Sequence, residues 1–122
     1  MAKTIMIVDD SSSLRQVVGI ALRSAGYDVL EGCDGKDALA KLTGQKVHMI
    51  LSDVNMPNMD GIAFVKAVKQ LPAYRFTPVA MLTTETAGEK MQAGKDAGAK
   101  AWVTKPFKPE QLLAVVQKLV LP

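Results

Sequence analysis

The sequence has a single cysteine, Cys33, among 122 residues, so it can form no disulfide within the chain and no metal site of clustered cysteines. No apolar run approaches the roughly 20 residues that a membrane-spanning helix needs. The apolar run near the N-terminus is too short for the core of a signal peptide, and no small-residue cleavage site follows it. These absences predict a protein of the cytoplasm with no membrane segment.

Aromatic residues make up 5% of the chain, and they are not interleaved with an arginine-rich run. Nucleic-acid binding is therefore disfavoured, although the net charge is +3. The charge is unevenly spread, because acidic residues outnumber basic ones over 1–61 and the reverse holds over 62–122. The excess of basic residues over 62–122 predicts either a solvated basic face or a surface that binds an acidic peptide.

Short apolar runs alternate with helical patterns along the chain, which predicts one domain over residues 1–122. The runs that predict strands cover residues 4–8, 27–30, 47–51, 78–82 and 101–104. Helices are predicted over 11–25, 34–44, 62–71 and 86–97, and Pro109 begins a fifth. The serine run that starts at Ser11 offers an N-cap for the first helix, and Asp34 can cap the second. Since the strands are continuously apolar, we expect an α/β fold with a parallel sheet and helices on both faces.

Polar side chains follow four of the predicted strands at the point where each strand ends. They are Asp9 and Asp10 after the first strand, Asp53 after the third, Thr83 and Thr84 after the fourth, and Lys105 after the fifth. Ligands of such sheets bind outside the carboxyl ends of the strands. If the first and third strands are neighbours, three carboxylates converge there.

Converging carboxylates repel one another, so at least one is expected to have a raised pKa unless a cation lies among them. With oxygen ligands and no nearby His or Cys, Mg²⁺ is the predicted cation, and Asn55 can add an oxygen. Such a site suits phosphoryl transfer, in which Lys105 and Thr83 would contact phosphoryl oxygens. Asp53 is the best candidate for a nucleophile that becomes an aspartyl phosphate.

Other proteins of this fold class fit the same residues less well. Asp9 and Asp10 would repel a flavin phosphate at the first strand–helix loop, and the G-x-x-x-x-G-K-[ST] pattern of P-loop nucleotidases is absent. A haloacid-dehalogenase-like phosphatase needs a second acid two residues after its nucleophile, where this chain has Asn55.

Simpler interpretations stay open for single residues. Asp9 and Asp10 could cap a helix, and Thr84 could do only that. Asp60 and Gly61 are expected to be plain turn residues without a catalytic role. The one histidine, His48, precedes the third strand and is expected to be a satisfied strand-end residue, not a phosphoryl donor.

The whole chain resembles a receiver domain of the two-component response regulators, with the stand-alone CheY-type chemotaxis regulators as the nearest kin. The resemblance rests on Val8-Asp9-Asp10, on Asp53-Val54-Asn55-Met56-Pro57-Asn58-Met59-Asp60-Gly61, on Thr83 and Trp102, and on Lys105-Pro106-Phe107. Each motif alone is weak, but all of them in order at strand ends are specific. The resemblance implies the flavodoxin-like (CheY-like) fold, with five parallel strands in the order 2-1-3-4-5 and five helices.

The resemblance also implies a role for each site residue. Asp53 would accept a phosphoryl group, while Asp9, Asp10, the Asp53 carboxylate and the Asn55 backbone carbonyl would hold Mg²⁺. Lys105, joined to Pro106 by a cis bond, would bind the phosphoryl group, and Thr83 would move towards it. Trp102 stands where the family usually has a Tyr or Phe that turns inward, and two interpretations stay open for it: a switch residue coupled to Thr83, or ordinary packing. Asn55 and Glu85 match residues that flank the attacking water in rapidly dephosphorylating members.

We therefore expect a monomeric response regulator, not an enzyme, that is phosphorylated by a CheA-like histidine kinase and acts through protein contact. Since the chain ends after its fifth helix, no output domain is expected. The expected contact face combines the fourth helix, fifth strand and fifth helix, with Lys90, Lys95, Lys100, Lys108 and Lys118 as its basic residues. An acidic peptide of a flagellar motor switch protein is the leading partner. The alternatives are a phosphate carrier or sink in a phosphorelay and, third, a small Mg²⁺-dependent phosphatase.

Overall fold

A computed structural model describes residues 2–84 and 88–121, with residues 88–90 described in their backbone only. Strands and helices alternate through this part of the chain. The strands are β1 (Thr4–Val8), β2 (Asp28–Gly32), β3 (Met49–Asp53), β4 (Val79–Thr83) and β5 (Ala101–Thr104). The helices are α1 (Ser12–Ser24), α2 (Gly35–Lys41), α3 (Gly61–Lys69), α4 (Gly88–Ala97) and α5 (Pro109–Leu119).

The five strands form one parallel sheet in the order β2-β1-β3-β4-β5, which confirms the expected fold. The order reverses between β1 and β3, because the chain leaves β1 for the β2 edge and then returns to the other side. At such a reversal the neighbouring strand–helix loops diverge, and a cleft opens outside the carboxyl ends of the strands. The fold therefore places the ends of β1 and β3 side by side.

Each face of the sheet has its own apolar core, because successive strand side chains point to opposite faces. Helices α2, α3 and α4 cover one face, where Phe64 and Val68 pack with Met6, Ile50 and Met81. Helices α1 and α5 cover the other, where Leu22 and Val116 pack with Ile5, Ile7 and Leu51. Phe64 is fully buried, and its truncation to Ala would cost about 3–5 kcal/mol of the free energy of unfolding.

Short polar side chains begin three of the helices. The Ser11 hydroxyl, the Asp34 carboxylate and the Asp60 carboxylate accept hydrogen bonds from the N–H groups of Leu14, Asp37 and Ala63, respectively. The caps Ser11 and Asp34 were predicted. Asp60 was expected to be plain turn chemistry, and that interpretation was incomplete, because Asp60 is the N-cap of α3.

The strand boundaries differ from the predicted ones wherever pairing extends a strand beyond its apolar run. β2 continues to Gly32, which pairs with Val8, although Glu31 and Gly32 are poor strand formers. β3 continues to Asp53, which pairs with Leu82. Asp53 was predicted to lie just beyond its strand, but it is the last strand residue and is buried.

The amino end of the sheet is held by reciprocal hydrogen bonds. The Thr4 N–H donates to His48 Nδ1 at 2.9 Å, and the His48 N–H donates back to the Thr4 carbonyl at 2.8 Å. The Tyr74 hydroxyl accepts from the Gly44 N–H at 2.8 Å and donates to the Gln45 carbonyl at 2.9 Å. His48 is thus a satisfied residue at the start of β3, as expected.

Candidate functional site

Three carboxylates converge at the carboxyl ends of β1 and β3. The carboxylates of Asp9, Asp10 and Asp53 each have an oxygen within 4.8 Å of the others. Asp9 is 1% exposed and Asp53 is 7% exposed, whereas Asp10 lies at the surface. The cluster therefore has two buried members and one member open to solvent. This arrangement suits a cation that keeps part of its hydration shell.

Asp9 is held at four points by four different parts of the fold. Its N–H donates to the Gly32 carbonyl at 3.1 Å, and its own carbonyl accepts from Arg15 at 2.6 Å. Its carboxylate accepts from the Ser11 N–H at 2.9 Å through Oδ1 and from Lys105 Nζ at 3.0 Å through Oδ2. Because both carboxylate oxygens and both backbone groups are engaged, Asp9 is the fixed member of the cluster.

Asp53 is held less completely. The Val54 N–H donates to Asp53 Oδ1 at 2.8 Å, and Lys105 Nζ lies 3.5 Å from the same oxygen. Burial raises the pKa of the Asp53 carboxyl, and the charge on Asp9 raises it further, while Lys105 acts in the opposite direction. Both of these contacts fall on Oδ1, and the described residues make no hydrogen bond or ion pair to Oδ2.

Lys105 supplies the positive charge of the site. Its backbone N–H donates to the Thr83 carbonyl at 2.7 Å, which fixes the start of the loop between β5 and α5. The bond between Lys105 and Pro106 is cis, as the resemblance implied. From this position the ammonium reaches the carboxylates of both Asp9 and Asp53.

The donor set of this cluster fits Mg²⁺. All three side chains offer carboxylate oxygens, which are the hard ligands that Mg²⁺ prefers, and they lie close enough to share one ion. Their mutual repulsion is only partly offset by one lysine, so a further cation would be attracted to the cluster. The fit rests on this chemistry and spacing.

Thr83, Asn55 and Glu85 were also predicted to belong to the site. Thr83 is buried at the end of β4, where it pairs with Thr104, and it lies one strand away from Asp53. Asn55 lies at the surface two residues after Asp53. Glu85 lies outside the described residues.

Trp102 is half-buried and packs against the core on the α4 face of the sheet. A Cβ atom added to Gly94 would lie 2.8 Å from Cζ3 of the indole, and Met81 borders the same spot. The indole therefore fits against α4 only because residue 94 has no side chain. The large aromatic side chain on β5 thus packs against a residue on α4 that has no side chain.

Two features next to the acidic cluster were not predicted from the sequence. Arg15, on the first turns of α1, contacts the Asp9 carbonyl. An apolar groove of about 420 Å³ lies beside the cluster, and its lining residues are Leu14, Val17, Val18, Ala21, Thr84, Lys105, Pro106, Phe107, Pro109 and Leu112. Val17 follows the apolar period of α1, but its side chain is 57% exposed at this groove.

The chain matches the response regulator receiver domain family over residues 5–117. It therefore belongs to that family, whose members are signalling modules of two-component systems that interact with histidine kinases. Phosphorylation and Mg²⁺ binding at an acidic site are typical of the family.

Within the family the chain is of the CheY type. It is 50% identical to the chemotaxis protein CheY4 of Vibrio cholerae, with a TM-score of 0.94, and the match covers 98% of this chain and 99% of that one. It is 34% identical to PilG of Pseudomonas aeruginosa over 93% of this chain and 84% of that protein. Two further curated relatives are matched over about half of their own length, 50% and 49%.

One solved relative bears directly on the acidic cluster. The receiver domain of the sensor histidine kinase PA1611 from Pseudomonas aeruginosa was solved with a magnesium ion in its active-site cleft. It is 27% identical to this chain, with a TM-score of 0.89, and the match covers 98% of each chain.

No helix in the described part of the present chain has the length and apolar character needed to cross a membrane.

Proposed function

We propose that this chain is a response regulator that is phosphorylated on Asp53 by a histidine kinase and signals by phosphorylation-dependent protein contact. The observation that carries the proposal is the set of partners around Asp53. A buried carboxylate at the end of β3 faces a lysine and two further acids, and it keeps one oxygen, Oδ2, clear of the contacts on Oδ1.

The proposed reaction transfers a phosphoryl group from a phosphohistidine to Asp53. A carboxylate oxygen of Asp53 forms the new bond to phosphorus, and the bond between phosphorus and the imidazole nitrogen of the donor breaks. Lys105 pairs with one phosphoryl oxygen, and the Thr83 hydroxyl donates to another. Mg²⁺ held by Asp9, Asp10, Asp53 and the Asn55 carbonyl would supply positive charge next to the phosphoryl oxygens. Asn55 and Glu85 are proposed to act on the later hydrolysis.

The groove beside the cluster is the proposed docking site for the helix of the kinase that bears the histidine. Its apolar lining, which includes the exposed Val17, gives a helix a surface to pack on, and Lys105 lines the same groove. A donor helix seated there would bring its histidine to Asp53. Val17→Lys should slow transfer from a phosphorylated kinase but leave phosphorylation by acetyl phosphate unchanged.

The proposed output face is formed by α4, β5 and α5. Lys95, Lys100, Lys108 and Lys118 are all exposed, so this face presents positive charge to an acidic peptide. The side chain of Lys90 lies outside the described residues. The similarity to the chemotaxis protein CheY4 favours a role in chemotaxis, and we propose a flagellar motor switch protein as the target. A monomer in the cytoplasm suits this role, since the exposed thiol of Cys33 stays free in a reducing compartment.

One experiment tests the phosphorylation. The protein is mixed with acetyl phosphate and Mg²⁺, and its intact mass is followed for a labile adduct of one phosphoryl group. The adduct is expected in the wild type and is lost in Asp53→Asn or after chelation of the metal. If no small phosphodonor gives an adduct, the proposal is wrong, and turnover of general phosphate esters would favour a phosphatase.

A second experiment tests the output. A peptide of an acidic motor switch protein should bind more tightly when beryllofluoride and Mg²⁺ are present than when they are absent. Equal affinity in the two states would contradict motor control and favour a phosphate carrier or sink, whose task needs no such discrimination.

A further inference from the structure

Arg15 joins three parts of the fold at the edge of the acidic cluster. Its Nη1 donates to the backbone carbonyl of Asp9 at 2.6 Å, and its Nε donates to a carboxylate oxygen of Glu31 at 3.2 Å. The side chain is 17% exposed, so the guanidinium lies mostly under the loop between β1 and α1. One residue of α1 thus contacts the end of β1 and the edge strand β2.

The loop that Arg15 contacts carries an intrinsic conflict. Asp9 and Asp10 are adjacent acids that must both point towards Asp53, and their repulsion favours an opened loop. Hydrogen bonds to Asp9 oppose that opening, and two of them come from the loop and from α1. The Ser11 N–H closes the loop onto Asp9 Oδ1 at 2.9 Å, and Arg15 holds the carbonyl of the same residue from below.

We propose that Arg15 is a positioning residue for the acidic cluster: it fixes the backbone of Asp9 so that the Asp9 and Asp10 carboxylates are presented together before any ligand binds. The inference rests on the proposed function of the cluster as a phosphorylation site. A forked guanidinium suits the task, since it contacts two acceptors that diverge in space, whereas an ammonium is a single point charge. Glu31 in turn orients the guanidinium from β2.

The chain offers a matched control in Arg23. Arg23 lies on the same helix, and its Nη2 is 3.9 Å from the other carboxylate oxygen of Glu31, but it has no contact with Asp9 among the described residues. Its side chain is 54% exposed. Arg15→Gln and Arg23→Gln each remove one ion pair with Glu31, and only the first also removes the hold on Asp9.

The test measures two quantities in both variants. One is the hydrogen-exchange rate of the Ser11 amide in metal-free protein, and the other is the Mg²⁺ affinity from an NMR titration of the amide signals. Arg15→Gln should speed exchange of the Ser11 amide and weaken Mg²⁺ binding about tenfold, the usual scale for losing an outer-shell partner. Arg23→Gln should leave both near the wild-type values, and Arg15→Lys should recover part of the affinity through a single hydrogen bond to Asp9.

Urea unfolding in metal-free buffer shows whether the variants stay folded. If Arg15→Gln does not fold, Glu31→Ala replaces it, because that change keeps Arg15 but removes the side chain that accepts its Nε hydrogen bond. Equal effects of Arg15→Gln and Arg23→Gln on the Ser11 amide would overturn the inference. If the wild type binds no Mg²⁺ and forms no adduct, the proposed function fails, while Ser11 exchange still decides whether Arg15 positions the loop.

Discussion

The two ends of the sheet differ in how well their polar groups are satisfied. At the amino end, Thr4 and His48 exchange hydrogen bonds, and the Tyr74 hydroxyl both donates and accepts. At the carboxyl end, three carboxylates converge, Lys105 contacts those of Asp9 and Asp53, and burial of Asp53 works against its charge. One end is built from complementary pairs and the other from groups that repel.

The difference indicates that the amino end of the sheet contributes to the stability of the fold, whereas the carboxyl end is arranged to bind a ligand. Paired groups lower the energy of the folded state, whereas clustered like charges raise it and persist where a ligand relieves them. The same sheet supports both ends, so the rigid strands between them hold the carboxylates together despite their repulsion. Substitutions at the two ends should therefore have opposite consequences for stability and for phosphorylation.

The largest expected effect is that of Asp53→Asn at the carboxyl end. The phosphoryl adduct should vanish, while the free energy of unfolding without metal should rise by about 1 kcal/mol, because one of three repelling charges is removed. Urea unfolding and intact mass after acetyl phosphate treatment measure the two quantities. A variant that is less stable than the wild type would show that Asp53 is a net stabilising group and would break the comparison.

The next largest effect is expected at the amino end for Tyr74→Phe. The change leaves the Gly44 N–H and the Gln45 carbonyl without their partner and should lower the free energy of unfolding by about 1–3 kcal/mol. Phosphorylation by acetyl phosphate should be unchanged, since the hydroxyl lies at the opposite end of the sheet. A matching loss of phosphorylation would mean that the two ends are coupled.

A smaller effect is expected from the titration of His48. Burial lowers its pKa below the usual value of 6.5, and nearby Lys46 and Lys3 lower it further. The unfolded chain then takes up the proton more readily, so this contribution to stability is complete above pH 6.5 and is lost as the pH falls through the lower pKa of the folded state.

The measurement is the free energy of unfolding of wild type and His48→Asn between pH 7.5 and about pH 5, a range centred on histidine titration. Asn offers an oxygen near the position of Nδ1 but does not titrate. The difference between the two proteins should grow in favour of Asn as the pH falls. A difference that is constant with pH would show that His48 makes no pH-dependent contribution.

The smallest effect on stability is expected for Gly94→Ala. This change tests whether the contact of Trp102 with α4 holds the indole in place. Helix propensity favours Ala by about 1 kcal/mol, and the crowding against Trp102 costs about 1 kcal/mol, the low end of the range for overpacking, because it falls on the edge of a half-buried ring, so the two nearly cancel. The indole must move, and because Trp102 is the one tryptophan of the chain, its emission reports that movement directly. An unchanged emission spectrum would show that the contact with Gly94 does not confine the indole.

Much of this architecture is visible in the sequence because local signals agree with the tertiary fold. The apolar runs that become β1 and β5, the Ser11 and Asp34 caps and the proline that begins α5 were all predicted. The grouping of Asp9, Asp10, Asp53 and Lys105 also followed, since parallel strands bring their carboxyl ends together. The strand order itself came from the family resemblance.

What could not be predicted depends on neighbours that are distant in sequence. β2 reaches Gly32 only because β1 offers a paired residue there. Val17 follows the apolar period of α1, yet α5 and its loop leave it at the rim of a groove. The contact of Arg15 with Asp9 carries no local signature, because an arginine early in a helix ordinarily faces solvent. Size matching between Trp102 and Gly94 likewise becomes visible only once α4 is packed on the sheet.

Gly61 limits which substitutions the loop between β3 and α3 can accept. A Cβ atom at that position would collide with the carbonyl oxygen of Asp53, and the Gly61 N–H donates to the Val54 carbonyl at 2.8 Å. Within the loop that precedes it, Asn58 has a positive φ of 68° and donates a hydrogen bond to Asp34, so this residue is also constrained. A combinatorial library for tuning the lifetime of the proposed phosphorylated form is therefore best limited to the exposed Asn55 and Pro57, with glycine retained at 61 in every clone.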